Sequence, residues 1–230
     1  MSENKENKNS KKKRNRPLSK EAIIKMAIKM ADRDGLAKLS MRNLAKKLNV
    51  EAMSLYNHIK NKDDILDAIV DQIFSEVSWS MDVGWKEAMF QRSISIRGVL
   101  HKHRWAIHLL ESRPNPGPIT LAYHDRVIRC LRLAKFSLKL TGHAFSALDS
   151  YTYGFILQEH NLPFENQEQL NQLASMILSN FPKEEYPSLF EFTSDYIFQP
   201  DYSHSKEFLY GLELVIEGLD SRFQKEQKEG

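Results

Sequence analysis

A single cysteine, Cys130, stands in a chain of 230 residues, so no internal disulfide can staple the fold. Its setting, RVIRCLRLAKF, reads as an amphipathic helix that buries the thiol. No apolar run approaches the roughly 18 residues that a membrane span needs, and the first residues lack the apolar core of a secretory signal. A cytoplasmic chain with no membrane partner is the expectation. Sustained strand-like alternation is missing, as are internal repeats and any glycine-rich loop able to cradle a phosphate. Asp149, Glu159 and the histidines form no nucleophile, base and orienter pattern, so the chain does not read as an enzyme. His101, His103, His108, His124, His143 and His160 have no Cys, Asp or Glu at a recognised ligand spacing, and neither a metal nor another cofactor is expected.

What is present is charge, unevenly divided. The whole chain carries a net +3, but residues 1–62 hold 17 Lys/Arg against 6 Asp/Glu, and residues 63–230 hold 16 against 24. The first part is suited to a polyanion and the second is not. The bias outlasts removal of the basic tail, since residues 19–62 alone still carry +6.

Residues 1–17 read as a flexible basic arm, too poor in apolar groups to offset the entropy of ordering. Ser19 then caps a helix with Ile23, Met26, Ala27 and Met30 at spacings of three and four, ending at Gly35. Ser40 caps a second, with Met41, Leu44, Ala45 and Leu48 inward, and Asn49 turns the chain in a left-handed conformation. A third of two turns covers Glu51 to His58. Asn61 caps a fourth that runs to Trp79, with Asp63 and Asp64 in its positive first turn. From Trp85 to Phe181 the pattern stays helical, interrupted by RPNPGP at 113–118. Leu162 to Ser203 is a looser connection around one helix near 166–179, and KEFLYGLELVIEGLDSRF closes the fold. The expected class is all-α: a helix-turn-helix unit over 18–62 and a larger helical body over 63–230.

The stretch VEAMSLYNHIKNKDD, residues 50–64, crowds a short helix with groups that both donate and accept hydrogen bonds, then adds lysines. Two short helices joined by a three-residue turn, braced by a preceding helix, make a helix-turn-helix whose second member enters the major groove. Leu55 and part of Met53 are expected to face the brace. Ser54, Tyr56, Asn57 and His58 then face outward, with Lys60 and Lys62 placed to meet phosphates.

The run LSMRNLAKKLNVEAMSLYNHIKNKDDILDAI resembles the DNA-binding domain of the tetracycline-repressor (TetR) family, most specifically through Leu55, Tyr56, His58 and Lys62. HLLESRP at 108–114 and FLYGLELVIEGL at 208–219 resemble the ligand-loop and last-helix segments of the family's tetracycline-responsive members. The resemblance implies a homodimer that binds double-stranded operator DNA, expected to be a near-palindrome, and a small-molecule effector in the helical body. It makes Ser40, Arg42, Met53, Ser54, Tyr56, Asn57, His58, Lys60 and Lys62 the DNA-contacting set. Ala52 and Asn57 depart from the tetracycline-responsive pattern, and Ala52 is limited to apolar contact such as a thymine methyl. His108 matches a histidine that those members use to hold a magnesium–drug complex, and Ser112 sits near a hydroxyl before Arg-Pro. Ser78 replaces their drug-contacting histidine, and their polar amide falls near Phe90.

The ligand-binding set is therefore Phe90, Ile94, Trp105, His108 and Ser112, with Phe136 and Phe155 as further aromatic candidates; the aromatic members could equally fill a core. Phe208, Leu212, Val215 and Leu219 form one stripe on the last helix, with Gly211 and Gly218 allowing close approach. Ala147, Tyr151 and Phe155 offer a second, so two helices from each subunit would make a four-helix dimer interface; packing within one subunit is the competing reading. Function follows as a ligand-responsive, dimeric transcriptional repressor. The alternatives are a DNA-binding regulator without an effector, or an activator.

Overall fold

A computed structural model describes residues 17–110, 112–113, 115–164 and 166–229. The basic arm expected over 1–17 lies, apart from Pro17, outside them. Among the described residues, eleven α-helices run α1 Lys20–Asp34, α2 Met41–Leu48, α3 Ala52–Tyr56, α4 Lys62–Phe74, α5 Trp85–Lys102, α6 Ile107–Leu110, α7 Pro118–Leu133, α8 Leu138–His160, α9 Gln167–Ser179, α10 Pro187–Phe192 and α11 His204–Glu229. No described residue lies in a strand, and no described helix is long and apolar enough to cross a membrane.

Local signals set the first four helices. Ser19, Ser40 and Asn61 each accept a backbone N–H of the first turn, from Ala22, Asn43 and Asp64, which satisfies donors that a helix start leaves open. Gly35 ends α1 at φ 76°, and Asn49 ends α2 at φ 55°, in the left-handed region that Asn tolerates better than most residues. Ile23, Ala27, Leu44, Leu55 and Ile65 are fully buried together and make the small core of this end.

Three expected boundaries shift. α3 is a single turn over Ala52–Tyr56 rather than two turns to His58. α4 stops at Phe74 instead of running to Trp79. Beyond it the chain folds back: Ser78 N–H donates to Ser95 Oγ, Trp79 is buried under Arg126, and the Arg126 guanidinium donates to the Trp79 carbonyl. The stretch from Trp85 to Leu110 is broken at His103 into α5 and α6. A further short helix, α10, and a π-helical turn at Thr193–Ile197 lie in the connection where one helix was expected.

In the body, α8 packs against α5, α7 and α11, and α4 packs against α1 on one side and α6 and α7 on the other. Leu148, Ile156, Phe208 and Leu212 have no exposed surface, and Phe136 stacks on Phe223 with ring centres 4.6 Å apart. Cys130 is buried on α7 as expected.

Candidate nucleic-acid interface and ligand cavity

Leu55, fully buried, and Ile59, nearly so, anchor α3 and the turn after it. Their burial turns the rest of the segment outward: Tyr56, Asn57, His58, Lys60 and Lys62 are exposed, and Ser54 is half-buried. Met53 departs from expectation, because at 74% exposed it points away from the brace and joins the outward face. Arg42 on α2 is also exposed. Ser40 holds the N-terminus of α2 through its hydroxyl, so its side chain already has structural work. Asp64 Oδ2 accepts the Lys60 N–H at 3.0 Å, fixing the turn that carries both lysines. The result is a one-turn helix presenting hydrogen-bonding side chains, flanked by cations.

Asp32 ties this unit to the body directly, and further contacts hold α4, the helix that follows it, and Glu76 beyond it. Asp32 on α1 accepts from His103 Nδ1 and from Trp105 Nε1, both at 2.7 Å. Lys102 pairs with Glu76 at 2.5 Å. Arg113, just after α6, pairs with Asp63 at 3.3 Å and Asp67 at 3.2 Å in the first turns of α4. Asp71 of α4 accepts from the Thr120 N–H at 2.7 Å and from its hydroxyl at 2.9 Å, capping α7.

The expected ligand-binding residues are dispersed. Trp105 is buried against Asp32 at the junction with α1, so it joins the two units instead of lining a cavity. Phe136 belongs to the core stack with Trp85 and Phe223, and Phe155 packs on Phe208. Ile94 borders a broad hollow formed by Ser78 to Asp82 and Arg126. Phe90 is half-buried against the core. Ser112 is exposed and donates to the Leu109 carbonyl at 3.0 Å. His108 alone of the set borders a cavity between α6 and α8, of about 570 Å³, with Ile107, Leu110, Phe145, Asp149 and Tyr153.

Arg92 was missed by sequence reading. It has no exposed surface, and its guanidinium pairs with Asp149 at 2.5 Å. Tyr123 and Phe145 lie over it, their ring centres 5.3 and 5.8 Å away. Burial works against the guanidinium's charge, but the Tyr123 phenol and the Asp149 carboxylate more than offset it, so its pKa is raised. Burial also pushes the Tyr123 phenol up and the His124 imidazole down. A single arginine among polar neighbours reads as exposed on a helix; only the placement of α7 and α8 buries it.

A second pocket of about 490 Å³ is lined by His101, Arg104, Glu159, His160, Tyr202 and His204. Arg97 donates two bonds to Glu159 at 2.5 and 3.0 Å, and His101 Nε2 lies 2.8 Å from the same carboxylate. Among the described residues, no group of three or more His, Cys, Asp and Glu is arranged to hold a metal.

The last helix shows its other side. Phe208 and Leu212 are fully buried and Leu219 nearly so within the one chain, and Val215 is half-buried. Fully buried side chains have no surface left to give to a partner, so this stripe packs on α8 and α5 of its own subunit. Tyr151 also faces inward: its hydroxyl donates to the Phe208 carbonyl at 2.8 Å, and a Cβ at Gly211 would stand 2.3 Å from the Tyr151 hydroxyl oxygen. Gly211 therefore admits Tyr151, not a partner helix. The exposed side of α11 carries Tyr210, Leu214 and Gly218, and that of α8 carries Ala147 and Leu157.

The family model described as "Tetracyclin repressor-like, C-terminal domain" matches residues 81–223, and that described as "Bacterial regulatory proteins, tetR family" matches residues 23–69. The chain is 36% identical over 144 residues to an HTH-type transcriptional regulator of Saccharopolyspora erythraea, a match covering 62% of this chain and 61% of that protein's length. It is 28% identical over 208 residues to the class D tetracycline repressor protein of Escherichia coli, covering 88% and 89% of the two. The structure of ActR from Streptomyces coelicolor in complex with actinorhodin superposes with a TM-score of 0.74 at 28% identity, over 88% of this chain and 95% of that one. The outward recognition turn matches one family model and the helical body around Arg92 matches the other, so the chain belongs to the TetR family of bacterial transcription regulators.

Proposed function

We propose that this protein is a homodimeric repressor that leaves its operator when a small molecule enters the cavity between α6 and α8. The observation that carries the reading is the Arg113 clamp. It joins the segment that follows α6 to Asp63 and Asp67, and Asp63 is the neighbour of Lys62 at the start of α4. A ligand that displaces α6 therefore pulls on the helix that follows the recognition turn. Met53, Ser54, Tyr56, Asn57 and His58 meet the major groove, and Arg42, Lys60 and Lys62 meet phosphates. Ala147 and Leu157 on α8, with Tyr210, Leu214 and Gly218 on α11, form the four-helix contact with a second copy.

Two-fold symmetry sets the operator. Recognition turns in adjacent grooves on one face lie about 34–36 Å apart, which requires a near-palindrome. Selection from random duplexes should return such a site, and an asymmetric single site would overturn the dimeric reading. To move the DNA-competent population from 99:1 to 1:99, the effector must favour the released state about 10⁴-fold. By reciprocity, saturating operator must weaken effector binding by the same factor. Equal effector affinity with and without operator would leave a DNA-binding regulator that this cavity does not control.

A further inference from the structure

The reading of the α6–α8 cavity as the effector site leaves the effector's chemistry open, and Arg92 narrows it. Its guanidinium offers five N–H donors. Asp149 takes Nη2, while Nε and Nη1 are buried with no acceptor. The buried Tyr123 hydroxyl lies beside the guanidinium and interacts with it. Buried donors without acceptors are disfavoured strongly, and charged ones most. Asp149 and Phe145 both touch the guanidinium and border the cavity, so Arg92 lies directly behind its wall.

We infer that the effector is a flat, uncharged and largely apolar molecule that presents a carbonyl oxygen to Arg92. Charge decides between a carbonyl and an acid. Asp149 already neutralises Arg92, and burial depresses His124 toward its neutral form, so the interior is balanced before anything enters. A carboxylate would bring in an unpaired charge, which a low-dielectric site disfavours; a carbonyl oxygen fills the open donors without one. Most of the remaining surface is ring and hydrocarbon, with His108, Ser146 and Ser150 as its other polar members. Phe145 and Tyr153 border the cavity with Ile107, Leu110 and Leu157. Aromatic faces of this kind accept a planar ring system.

The test uses three probes of one shape on the full chain: fluorene, 9-fluorenone and 9-fluorenecarboxylate, titrated by calorimetry or tryptophan fluorescence. Arg92→Met/Asp149→Asn is the variant, because removing both charges leaves no lone buried ion; circular dichroism checks its fold. Arg92→Lys, which keeps the charge and loses the planar fork, serves if the double variant does not fold. Fluorenone should bind the wild type at least about tenfold more tightly than fluorene, and either variant should lower that ratio at least about threefold, whichever way fluorene affinity itself moves. Equal binding of fluorene and fluorenone would remove the carbonyl and leave the cavity reading standing. Tightest binding by the carboxylate would assign an acid instead and overturn the inference. A preference that survives in the variants would show that Arg92 is not its source. Binding of none of the three would overturn both the inference and the cavity reading.

Discussion

The carboxylate of Asp71 on α4 occupies the space that a side chain at Gly117 would need: a Cβ there would stand 2.3 Å from its Cγ and 2.5 Å from each oxygen. Asp71 is buried and caps α7 through the Ile119 and Thr120 N–H groups and the Thr120 hydroxyl, so it cannot step aside without giving up those bonds. Gly117→Ala should therefore cost about 1–3 kcal/mol of stability, from crowding and a lost buried cap. Denaturant unfolding of Gly117→Ala, Asp71→Ala and the double variant checks the cause. If the clash is with Asp71, the double variant is no less stable than Asp71→Ala alone, and full additivity would point to another origin.

Arg113 pairs with Asp63 and Asp67, and Asp63 is largely exposed. The exposed Asp63 pair contributes roughly 0–1 kcal/mol, but Arg113 and Asp67 are only 18% and 26% exposed, so Arg113→Ala should cost about 1–3 kcal/mol and leave the chain folded. Operator affinity should nevertheless shift severalfold, because the clamp positions the start of α4. Filter binding and unfolding measured on the same preparation separate the two effects, and an unchanged operator affinity would detach the loop from the recognition turn.

Lys62→Ala should weaken binding to all DNA sequences alike and reduce the slope of log affinity against log salt by about one unit. Ser54→Ala should change the preferred sequence and leave that slope alone. Isotherms at four salt concentrations on operator and random duplex distinguish the roles; an unaltered slope for Lys62→Ala would sink the phosphate assignment.

Two leucines on α11 should answer differently to the same change. Leu212 is fully buried in its own subunit and Leu214 is 53% exposed. Leu212→Glu buries an unpaired charge and should unfold the chain. Leu214→Glu should give a folded monomer, seen by sedimentation with unchanged helical circular dichroism. A folded, intact dimer for Leu214→Glu would move the interface elsewhere.

His160 carries a pH dependence. Burial, then the charges of His101 and Arg104, lowers its pKa from 6.5 to about 4. Between those values the unfolded chain binds the proton and the folded chain does not, so stability falls as pH drops from about 6.5 towards 4. His124 and His204 shift the same way through burial. His160→Gln should flatten part of the decline between pH 6.5 and 4.5 in denaturant titrations, and an undiminished slope would assign it to the other two.

Much of the amino-terminal unit was legible because its signals are local. Ser19, Ser40 and Asn61 cap through bonds to residues three positions on, and Asn49 needs only its own backbone freedom to turn the chain. The dispersal of Phe90, Ile94, Trp105, His108 and Ser112 was not legible, since a side chain's surroundings depend on which distant helix packs over it. The charge division, and the resemblance to the TetR family carried by Tyr56, His58 and Lys62, point to DNA. By itself, then, the sequence determined the starts and caps of α1, α2 and α4, the outward polar turn of α3 and the polyanion-seeking end. Tertiary structure alone decided which face of α11 is core, that Tyr151 rather than a partner meets Gly211, and that Arg92 is sealed between α5, α7 and α8. Those outcomes depend on contacts between residues far apart in the chain, where packing and desolvation, not local propensity, fix the arrangement.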